Sequence, residues 1–255
     1  RRCLVGSEMC IRDRYGNYSE SYKSLNEALK HAGFQNHLNT QIHYLNSESK
    51  KSEIFNELSN AHGIIVPGGF GDRGIKGKIS AIEYSRLNNI PFLGICLGMQ
   101  LAVIEYARNC LKIKDADSSE FSTKTNNPVI ALIEEWLDEK GIKQYRDINS
   151  NKGGTMRLGE QKCILGKGTN IYNAYKSSKI FERHRHRYEF NNRFLNVLED
   201  GNFSITGKSM DKNLVEVIEL KNHKWFVGCQ FHPEFTSRPF NGHPLFNSFI
   251  KYSSK

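Results

Sequence analysis

The chain has 255 residues, 38% of them hydrophobic and 25% charged, which is typical of a soluble globular domain with a substantial core. Its longest apolar runs are far too short to span a membrane, and no basic-then-apolar signal segment opens it. The formal net charge of +9 is spread over many lysines without interleaved aromatic residues. We therefore expect a solvated basic surface that binds neither nucleic acid nor membrane.

The cysteines are scattered along the chain, and none forms a C-x-x-C pair, so the sequence suggests no metal site. In a chain of this size, scattered thiols favour the reduced state that is found in the cytoplasm, which is where we expect the protein. The six cysteines are Cys3, Cys10, Cys96, Cys110, Cys163 and Cys229.

The first part of the chain alternates between helical and strand-like segments. Apolar periodicity predicts helices at residues 21–33, 75–87 and 97–108, and strands at residues 42–45, 63–66 and 90–95. Gly33 is the predicted stop of the first helix. This alternation indicates βαβ units, hence an open, mostly parallel α/β sheet flanked by helices, with the active site at the carboxyl ends of its strands.

The two ends of the chain differ from this pattern. Residues 203–209, 214–220 and 225–230 look like neighbouring antiparallel strands, so we expect a small antiparallel addition before a closing helix at 244–252. Residues 3–6 read as a short strand, whereas residues 7–14 have no clear period. Residues 1–14 are either an altered first strand or a foreign leader, and we divide the chain into that segment and a domain of residues 15–255.

Cys96 lies in the sequence Gly94-Ile95-Cys96-Leu97-Gly98, between a predicted strand and a predicted helix. This is the context of a nucleophile elbow, in which flanking glycines allow a sharp turn. The positive end of the following helix favours a thiolate. A lone G-x-C-x-G is also compatible with a buried structural thiol, but the strand–turn–helix context favours a nucleophile.

A thiol nucleophile needs a base and a group that orients the base. His232 follows an apolar strand, and Pro233 restricts the backbone between it and Glu234, which is placed to orient the imidazole. Acyl chemistry also needs an oxyanion site. The glycine-rich turn at residues 67–71 offers amide groups for it at Gly69, and the amide of Leu97 is the second natural donor.

Three motifs taken together resemble class I glutamine amidotransferases: PGG at 67–69, GICLGMQ at 94–100 and QFHPE at 230–234. Further runs are similar to CTP synthases, from about Tyr18 to the C-terminus: VPGGFG (66–71), RG (73–74), GK (77–78), GTMRLG (154–159), ERHRHRYEFN (182–191) and HPEF-x-SRP (232–239). The loop at residues 15–18 only partly resembles the corresponding loop of the family. The resemblance implies a flavodoxin-like, three-layer fold.

The resemblance implies a Cys96–His232–Glu234 triad that hydrolyses L-glutamine through a thioester to glutamate and ammonia. It implies glutamine-binding positions at Gly69, Leu97, Gly98, Met99, Gln100, Glu120 and Arg187. An acidic Glu120 suits the α-ammonium of glutamine, and either Arg187 or backbone groups hold its α-carboxylate. Arg73 and Gly74 are the positions that we associate with GTP as an allosteric activator.

The resemblance further implies a complete enzyme in which the ammonia aminates UTP to CTP in a synthetase domain that uses ATP and Mg²⁺. It also implies a homotetramer that serves pyrimidine biosynthesis. The chain carries no G-x-x-x-x-G-K-[ST] motif, so we expect the synthetase half to lie upstream or to be missing, and no cofactor in this domain. Two alternatives are another class I member, such as one of GMP or anthranilate synthesis or a γ-glutamyl hydrolase, and a silent assembly module. The sequences at 154–159 and 182–191 argue against another class I member. The intact triad argues against a silent assembly module.

The run Arg183-His184-Arg185-His186-Arg187 invites a nucleic-acid interpretation. On a strand, however, alternate residues face opposite sides, so the arginines and the histidines separate. We expect one face to line the glutamine cleft and the other to meet a partner domain.

Overall fold

The structure is a computed structural model that describes residues 3–9, 22–122, 124–132, 135–137, 143–145, 156–199, 201–211 and 214–255. Within these ranges the helices are α1 (Lys23–Gln35), α2 (Lys51–Glu57), α3 (Ile75–Asn88), α4 (Leu97–Asn109), α5 (Asn170–Tyr175), α6 (Leu195–Leu198) and α7 (Pro244–Ser253). Short 3₁₀ turns occur at Leu58–Asn60, Asn192–Phe194 and Pro233–Phe235. No helix in these ranges is both long and apolar enough to cross a membrane.

The described strands form one large sheet and three small ones. In chain order they are β1 (Cys3–Met9), β2 (Thr40–Leu45), β3 (Ile64–Val66), β4 (Phe92–Ile95), β5 (Ala116–Ser118), β6 (Asn127–Leu132), β7 (Glu135–Leu137), β8 (Lys143–Tyr145), β9 (Arg157–Leu165), β10 (Lys179–His186), β11 (Tyr188–Phe190), β12 (Phe203–Ser209), β13 (Val215–Leu220) and β14 (Phe226–Cys229). The large sheet has the order β10-β9-β12-β13-β14-β4-β3.

The large sheet explains why distant motifs meet. Strands β3, β4 and β14 run parallel and side by side, with Val66 opposite Gly94 and Cys229 opposite Ile95. Their carboxyl ends therefore lie at the same edge of the sheet. The chain leaves this edge at Pro67, Cys96 and Gln230, which begin or carry the three motifs. The three motifs thus meet at the carboxyl ends of strands, which is where the sequence predicts the active site.

Helices cover both faces of the sheet, as predicted for a three-layer α/β fold. One core cluster joins the sheet to α3 and α4 and contains Ile82, Phe92 and Phe226. The other joins it to α1 and α7 and contains Leu29 and Phe249. Residues of β4 alternate between the two clusters because successive side chains on a strand face opposite sides.

The antiparallel part of the sheet is larger than predicted. Four of its six strand pairings are antiparallel, namely those joining β10, β9, β12, β13 and β14. The three predicted strands at 203–230 are confirmed, whereas β9 was not predicted and, for β10, only the run at residues 183–187 was interpreted as a strand. Their sequences are rich in charged residues, so neither gives a strong apolar signal.

Helix α1 corrects one detail of the sequence analysis. The apolar stripe is confirmed, since Leu25, Leu29 and Ala32 are buried. The predicted stop at Gly33 is wrong, because the helix continues to Gln35. Gly33 serves close packing instead: a Cβ there would lie 2.9 Å from the carbonyl oxygen of Leu38.

The first strand pairs with the second. Strand β1 lies parallel to β2, with Cys3 opposite Thr40 and Met9 opposite Leu45. The predicted strand at residues 3–6 is confirmed and extends to Met9. Residues 10–21 and 154–155, which include the loop at 15–18 and the start of the GTMRLG run, lie outside the described residues. The division at residue 14 stays a prediction.

Candidate active site

Cys96 occupies a sharp turn between β4 and α4. Its backbone has φ 51° and ψ −103°, which is rare for a residue with a side chain and costs about 1–3 kcal/mol. Its N–H donates to the carbonyl oxygen of Cys229 at 2.7 Å. A Cβ at Gly98 would lie 1.9 Å from the Val66 carbonyl oxygen, so only glycine lets the new helix pass β3 this closely. The predicted strand–turn–helix elbow is confirmed.

His232 lies next to Cys96 at the end of β14. Its N–H donates to the Arg183 carbonyl oxygen at 2.8 Å, which fixes the chain as it leaves the sheet. Its Nδ1 lies 2.8 Å from Oε1 of Glu234, as the H-P-E motif predicts. That contact leaves Nε2 for the thiol. Burial disfavours the imidazolium, but hydrogen bonds with Cys96 and Glu234 outweigh it and raise the pKa of His232 to about 10.

Two further groups confine the His232 ring. Phe235 stacks on it with centroids 4.9 Å apart and planes inclined by 6°. On the β3 side, a Cβ at Gly68 would lie 2.7 Å from His232 Cε1 and 3.5 Å from Cys96 Cβ. The glycine turn after β3 therefore touches both side chains, and the imidazole has little freedom to move.

The turn after β3 also faces the space in front of the thiol. Gly69 and Phe70 line the two clefts that meet at Cys96. Leu97 is the first residue of α4, so its N–H has no partner within the helix. Free amides beside a nucleophile are what an oxyanion site requires, and the assignment of Gly69 and Leu97 to that role stays a prediction.

The first cleft contains three of the side chains predicted to bind glutamine. It holds about 310 Å³ of empty space, open solvent included, and is lined by Gly69, Phe70, Cys96, Gln100, Glu120, His186, Arg187 and Tyr188. The small sheet β11-β6-β5 makes this possible, because it brings Glu120, just beyond β5, towards Arg187 at the start of β11. These two residues are 67 positions apart in sequence.

Glu120 is partly desolvated in this cleft. Burial raises the pKa of its carboxyl group, and the Gly71 N–H, which donates to Oε1 at 3.3 Å, and the charge of Arg187 oppose that rise. The carboxylate thus holds the glycine turn and faces a cation. A bound ammonium group would add a second positive partner for Glu120.

The second cleft opens on the other side of the thiol. It encloses about 880 Å³ of empty space, including open solvent, and its lining includes Tyr22, Arg185, His232 and Phe235. Gly69, Phe70 and Cys96 border both clefts. Cys96 is therefore reachable from two directions.

Five predicted residues are not among the residues that line the clefts, and Leu97, the first residue of α4, is one of them. Gly98 packs against Val66, and Met99 is fully buried in the core cluster below α4. Arg73 forms an ion pair with Glu48 at 3.0 Å, and Gly74, with φ 69°, is the N-cap of α3. The buried Met99 side chain therefore does not contact a ligand in this cleft. Backbone contact with glutamine at Gly98 and Met99, and the GTP assignment, stay predictions.

The arginines and histidines of β10 separate as predicted. Its residues alternate strictly between exposed and buried, with His184 and His186 inside and Arg183 and Arg185 outside. The histidine face contributes His186 to the first cleft, and the arginine face contributes Arg185 to the second. Contact of one face with a partner domain stays a prediction.

Behind the first cleft lies a buried ionic network. Arg157 is 2% exposed and its two terminal nitrogens lie 3.2 Å from Glu189 Oε1 and 2.7 Å from Glu216 Oε1. Nδ1 of His184 and Nε2 of His186 lie 2.9 Å apart beside it. Burial, with the charge of Arg157, lowers the pKa of both histidines well below the ordinary value, so they are neutral. Burial raises the pKa of Glu189 to about 8 despite Arg157.

Arg157→Met is expected to lower the free energy of unfolding by about 3–5 kcal/mol, because it leaves the buried carboxyl groups of Glu189 and Glu216 without the cation that bridges them. Urea unfolding measures this loss. The matched control is Arg73→Met, which removes an exposed pair with Glu48 and should cost less than about 1 kcal/mol. Equal losses in the two variants would contradict a structural role for the network.

Sequence reasoning missed several residues around the thiol. Gln230 contacts the Cys96 thiol, the Tyr188 carbonyl oxygen accepts a hydrogen bond from Gln100, and Phe235 stacks on His232. Gln230 and Phe235 flank the predicted base, His232, inside a recognised motif. That position is the sequence feature from which their place in the site could have been predicted. Tyr188 takes part through its backbone carbonyl, which sequence does not reveal.

Comparison with known proteins agrees with this geometry. Residues 18–252 match the family described as Glutamine amidotransferase class-I. The structure is similar to that of the Trypanosoma brucei CTPS glutaminase domain, solved with bound acivicin, at 31% sequence identity and a TM-score of 0.86. That match covers 99% of this chain and 93% of the other.

A second structure shares the fold at lower identity. It is that of a putative GMP synthase component from Thermoplasma acidophilum, with 18% identity, a TM-score of 0.59 and coverage of 98% of this chain and 94% of the other. This likeness concerns the fold alone. With the family match over nearly its whole length and the CTPS glutaminase similarity, the chain belongs to the class I glutamine amidotransferases.

Proposed function

We propose that this chain hydrolyses L-glutamine to glutamate and ammonia, with Cys96 as nucleophile, His232 as acid and base, and Glu234 as the group that orients His232. The observation that carries the proposal is the juxtaposition of the strained Cys96 turn with the His232–Glu234 pair at 2.8 Å. The raised pKa of His232 supports a charged imidazole beside Cys96 at neutral pH.

The reaction follows from these groups. The Cys96 thiolate attacks the carboxamide carbon, and the negative charge passes to the carbonyl oxygen, towards the amides of Leu97 and Gly69. His232 then donates its proton to the departing nitrogen, so that the C–N bond breaks and ammonia leaves behind a thioester. Neutral His232 next takes a proton from water, whose oxygen attacks the thioester. This releases glutamate and restores the thiolate–imidazolium pair.

The first cleft suits the amino-acid end of the substrate. Glu120 offers a carboxylate to the α-ammonium group, and Arg187 or nearby backbone groups receive the α-carboxylate. Gly98 and Met99 contribute through their backbone in this proposal.

Glu120→Ala is expected to raise the KM for glutamine by about tenfold or more, and to lower kcat much less. It removes an ionic contact with the substrate that is made before and during the reaction, not a group that transfers protons. Steady-state kinetics separate the two constants. Glu53→Ala, on the exposed face of α2, is the control that should leave both unchanged. An unchanged KM for Glu120→Ala would contradict the assignment.

We further propose that the ammonia serves CTP synthesis. The motif runs at 182–191 and 232–239 and the similarity to a CTPS glutaminase domain support this. In this proposal a synthetase domain uses ATP and Mg²⁺ to aminate UTP within a homotetramer in the cytoplasm, and GTP activates hydrolysis through the loop of Arg73 and Gly74.

Two assays test the two parts of the proposal separately: glutamine hydrolysis by this chain and the use of its ammonia in CTP synthesis. The purified chain should release glutamate and ammonia from L-glutamine, and absence of turnover would contradict the glutaminase assignment. Addition of a separately produced synthetase domain, with UTP, ATP and Mg²⁺, should give glutamine-dependent CTP. If that mixture makes CTP from ammonium salts but not from glutamine, while the chain hydrolyses glutamine, the assignment to CTP synthesis fails.

A further inference from the structure

We propose that Gln230 is a positioning residue for the nucleophile: its side-chain amide donates a hydrogen bond to the Cys96 sulfur and connects that sulfur to Gln100 on the wall of the first cleft. The inference rests on the proposed role of Cys96 as nucleophile. It adds a second contact with the sulfur that is independent of His232.

Gln230 is held rigidly where β14 ends. Its side chain is fully buried, and its backbone N–H donates to the Glu216 carbonyl oxygen at 2.9 Å. Its Nε2 lies 3.6 Å from Cys96 Sγ, within hydrogen-bond range for sulfur. A buried polar side chain beside a nucleophile is expensive unless its amide is satisfied.

The neighbouring hydrogen bonds fix which end of the Gln230 amide faces the sulfur. Gln100 Nε2 lies 2.8 Å from the Tyr188 carbonyl oxygen, and a carbonyl can only accept, so Gln100 presents its NH₂ group there. The same NH₂ group lies 3.2 Å from the Gln230 amide and must meet its oxygen, Oε1. The NH₂ group of Gln230 is then the end that points towards Cys96.

A donor in this position favours the thiolate over the thiol, since a hydrogen bond to the charged form stabilises it more. The thiolate is the reactive form. The titratable groups that face Cys96 in the described structure include His232 and, on β14, Cys229. Burial raises the pKa of Cys229 well above its ordinary value, so it stays a neutral thiol.

The chain of amides also joins the sulfur to the substrate. Gln100 lines the first cleft together with Arg187 and Tyr188. It lies on α4, one helical turn beyond Cys96, and its backbone N–H donates a hydrogen bond to the Cys96 carbonyl oxygen at 3.2 Å. The sulfur and the cleft wall are therefore held in one frame by Tyr188, Gln100 and Gln230.

The test is the pH profile of Cys96 alkylation by iodoacetamide in the absence of glutamine, read by peptide mapping. Gln230→Met keeps the length and apolar bulk but has no donor. We expect alkylation about 3- to 10-fold slower at pH 7, with the profile displaced to higher pH, because a smaller fraction of Cys96 is thiolate without the donor. The effect is no larger because the remaining thiolate is intrinsically more nucleophilic. Thermal unfolding is measured alongside.

A second variant covers the case in which Gln230→Met fails to fold. Gln230→Glu keeps an oxygen for Gln100 and, once its carboxyl group is ionised, has no donor for the sulfur, so slowed alkylation is expected again in that part of the pH range. Wild-type alkylation across the pH range in either folded variant overturns the inference. Alkylation can be measured without glutamine turnover. If the chain does not hydrolyse glutamine but its alkylation depends on Gln230, only the proposed function is contradicted. If the variants are active and their alkylation profiles are unchanged, only the inference about Gln230 is contradicted.

Discussion

Cys96→Ala is expected to abolish glutamine hydrolysis, with a loss in kcat of about 10⁴-fold or more, while the fold remains intact. Alanine removes the sulfur that attacks the carboxamide. It keeps the Cβ, so the backbone at φ 51° carries the same strain as before and packing barely changes. Glutamate release measures the activity, and urea unfolding checks the fold.

His232→Ala should cost nearly as much as Cys96→Ala, and the double variant little more than either, because the groups act as a unit. Cys110→Ala, at a partly exposed thiol, is the control that should keep wild-type activity. A glutamine-like diazo-ketone should label Cys96 in preference to Cys163 and Cys229. Burial raises the pKa of both those thiols well above the ordinary value, which keeps them protonated and unreactive. Wild-type activity in Cys96→Ala would refute the assignment.

The parts of the fold that sequence predicts are those with a local signal. Strands β3, β4 and β14 are short and fully buried, and glycine, proline or a helix start bounds β3 and β4, so all three were predicted within about two residues. Apolar periodicity did not indicate strand β10, because its buried positions carry Glu182, His184 and His186, which are polar. Only the alternation of arginine and histidine suggested a strand there. Their surroundings include residues on other strands, such as Glu216 on β13, whose Oε2 lies 3.7 Å from His184 Nε2, and no local sequence pattern reveals such neighbours.

The candidate site divides in the same way. Cys96, His232 and Glu234 follow from motifs because each motif is a contiguous run at a strand end. The convergence of Glu120 with Arg187 depends on the small sheet β11-β6-β5, whose pairing joins Tyr188 to Leu132. The resemblance to a family suggested those two residues, and periodicity alone did not. The contact of Gln230 with Cys96 is visible only in three dimensions.

Gly68→Ala is expected to lower kcat by about 100-fold, because the added methyl group would lie 2.7 Å from His232 Cε1. The ring has no room to retreat, since Glu234 holds Nδ1 and Phe235 covers one face. Gly68 does not have a positive φ, so alanine introduces no backbone strain there. The substitution therefore displaces the imidazole with a cost in unfolding free energy of only about 1 kcal/mol.

Gly166→Ala is the matched control for Gly68→Ala, because a Cβ there meets its nearest atoms at 3.5 Å and 3.6 Å, ordinary contact distances. It should leave kcat and stability unchanged. The route of the effect is tested by combining Gly68→Ala with His232→Ala. If the methyl group acts by displacing the imidazole, the double variant loses nothing beyond His232→Ala, whereas independent effects add. A full additional loss would show that Gly68 acts on Cys96 or on the oxyanion amides instead.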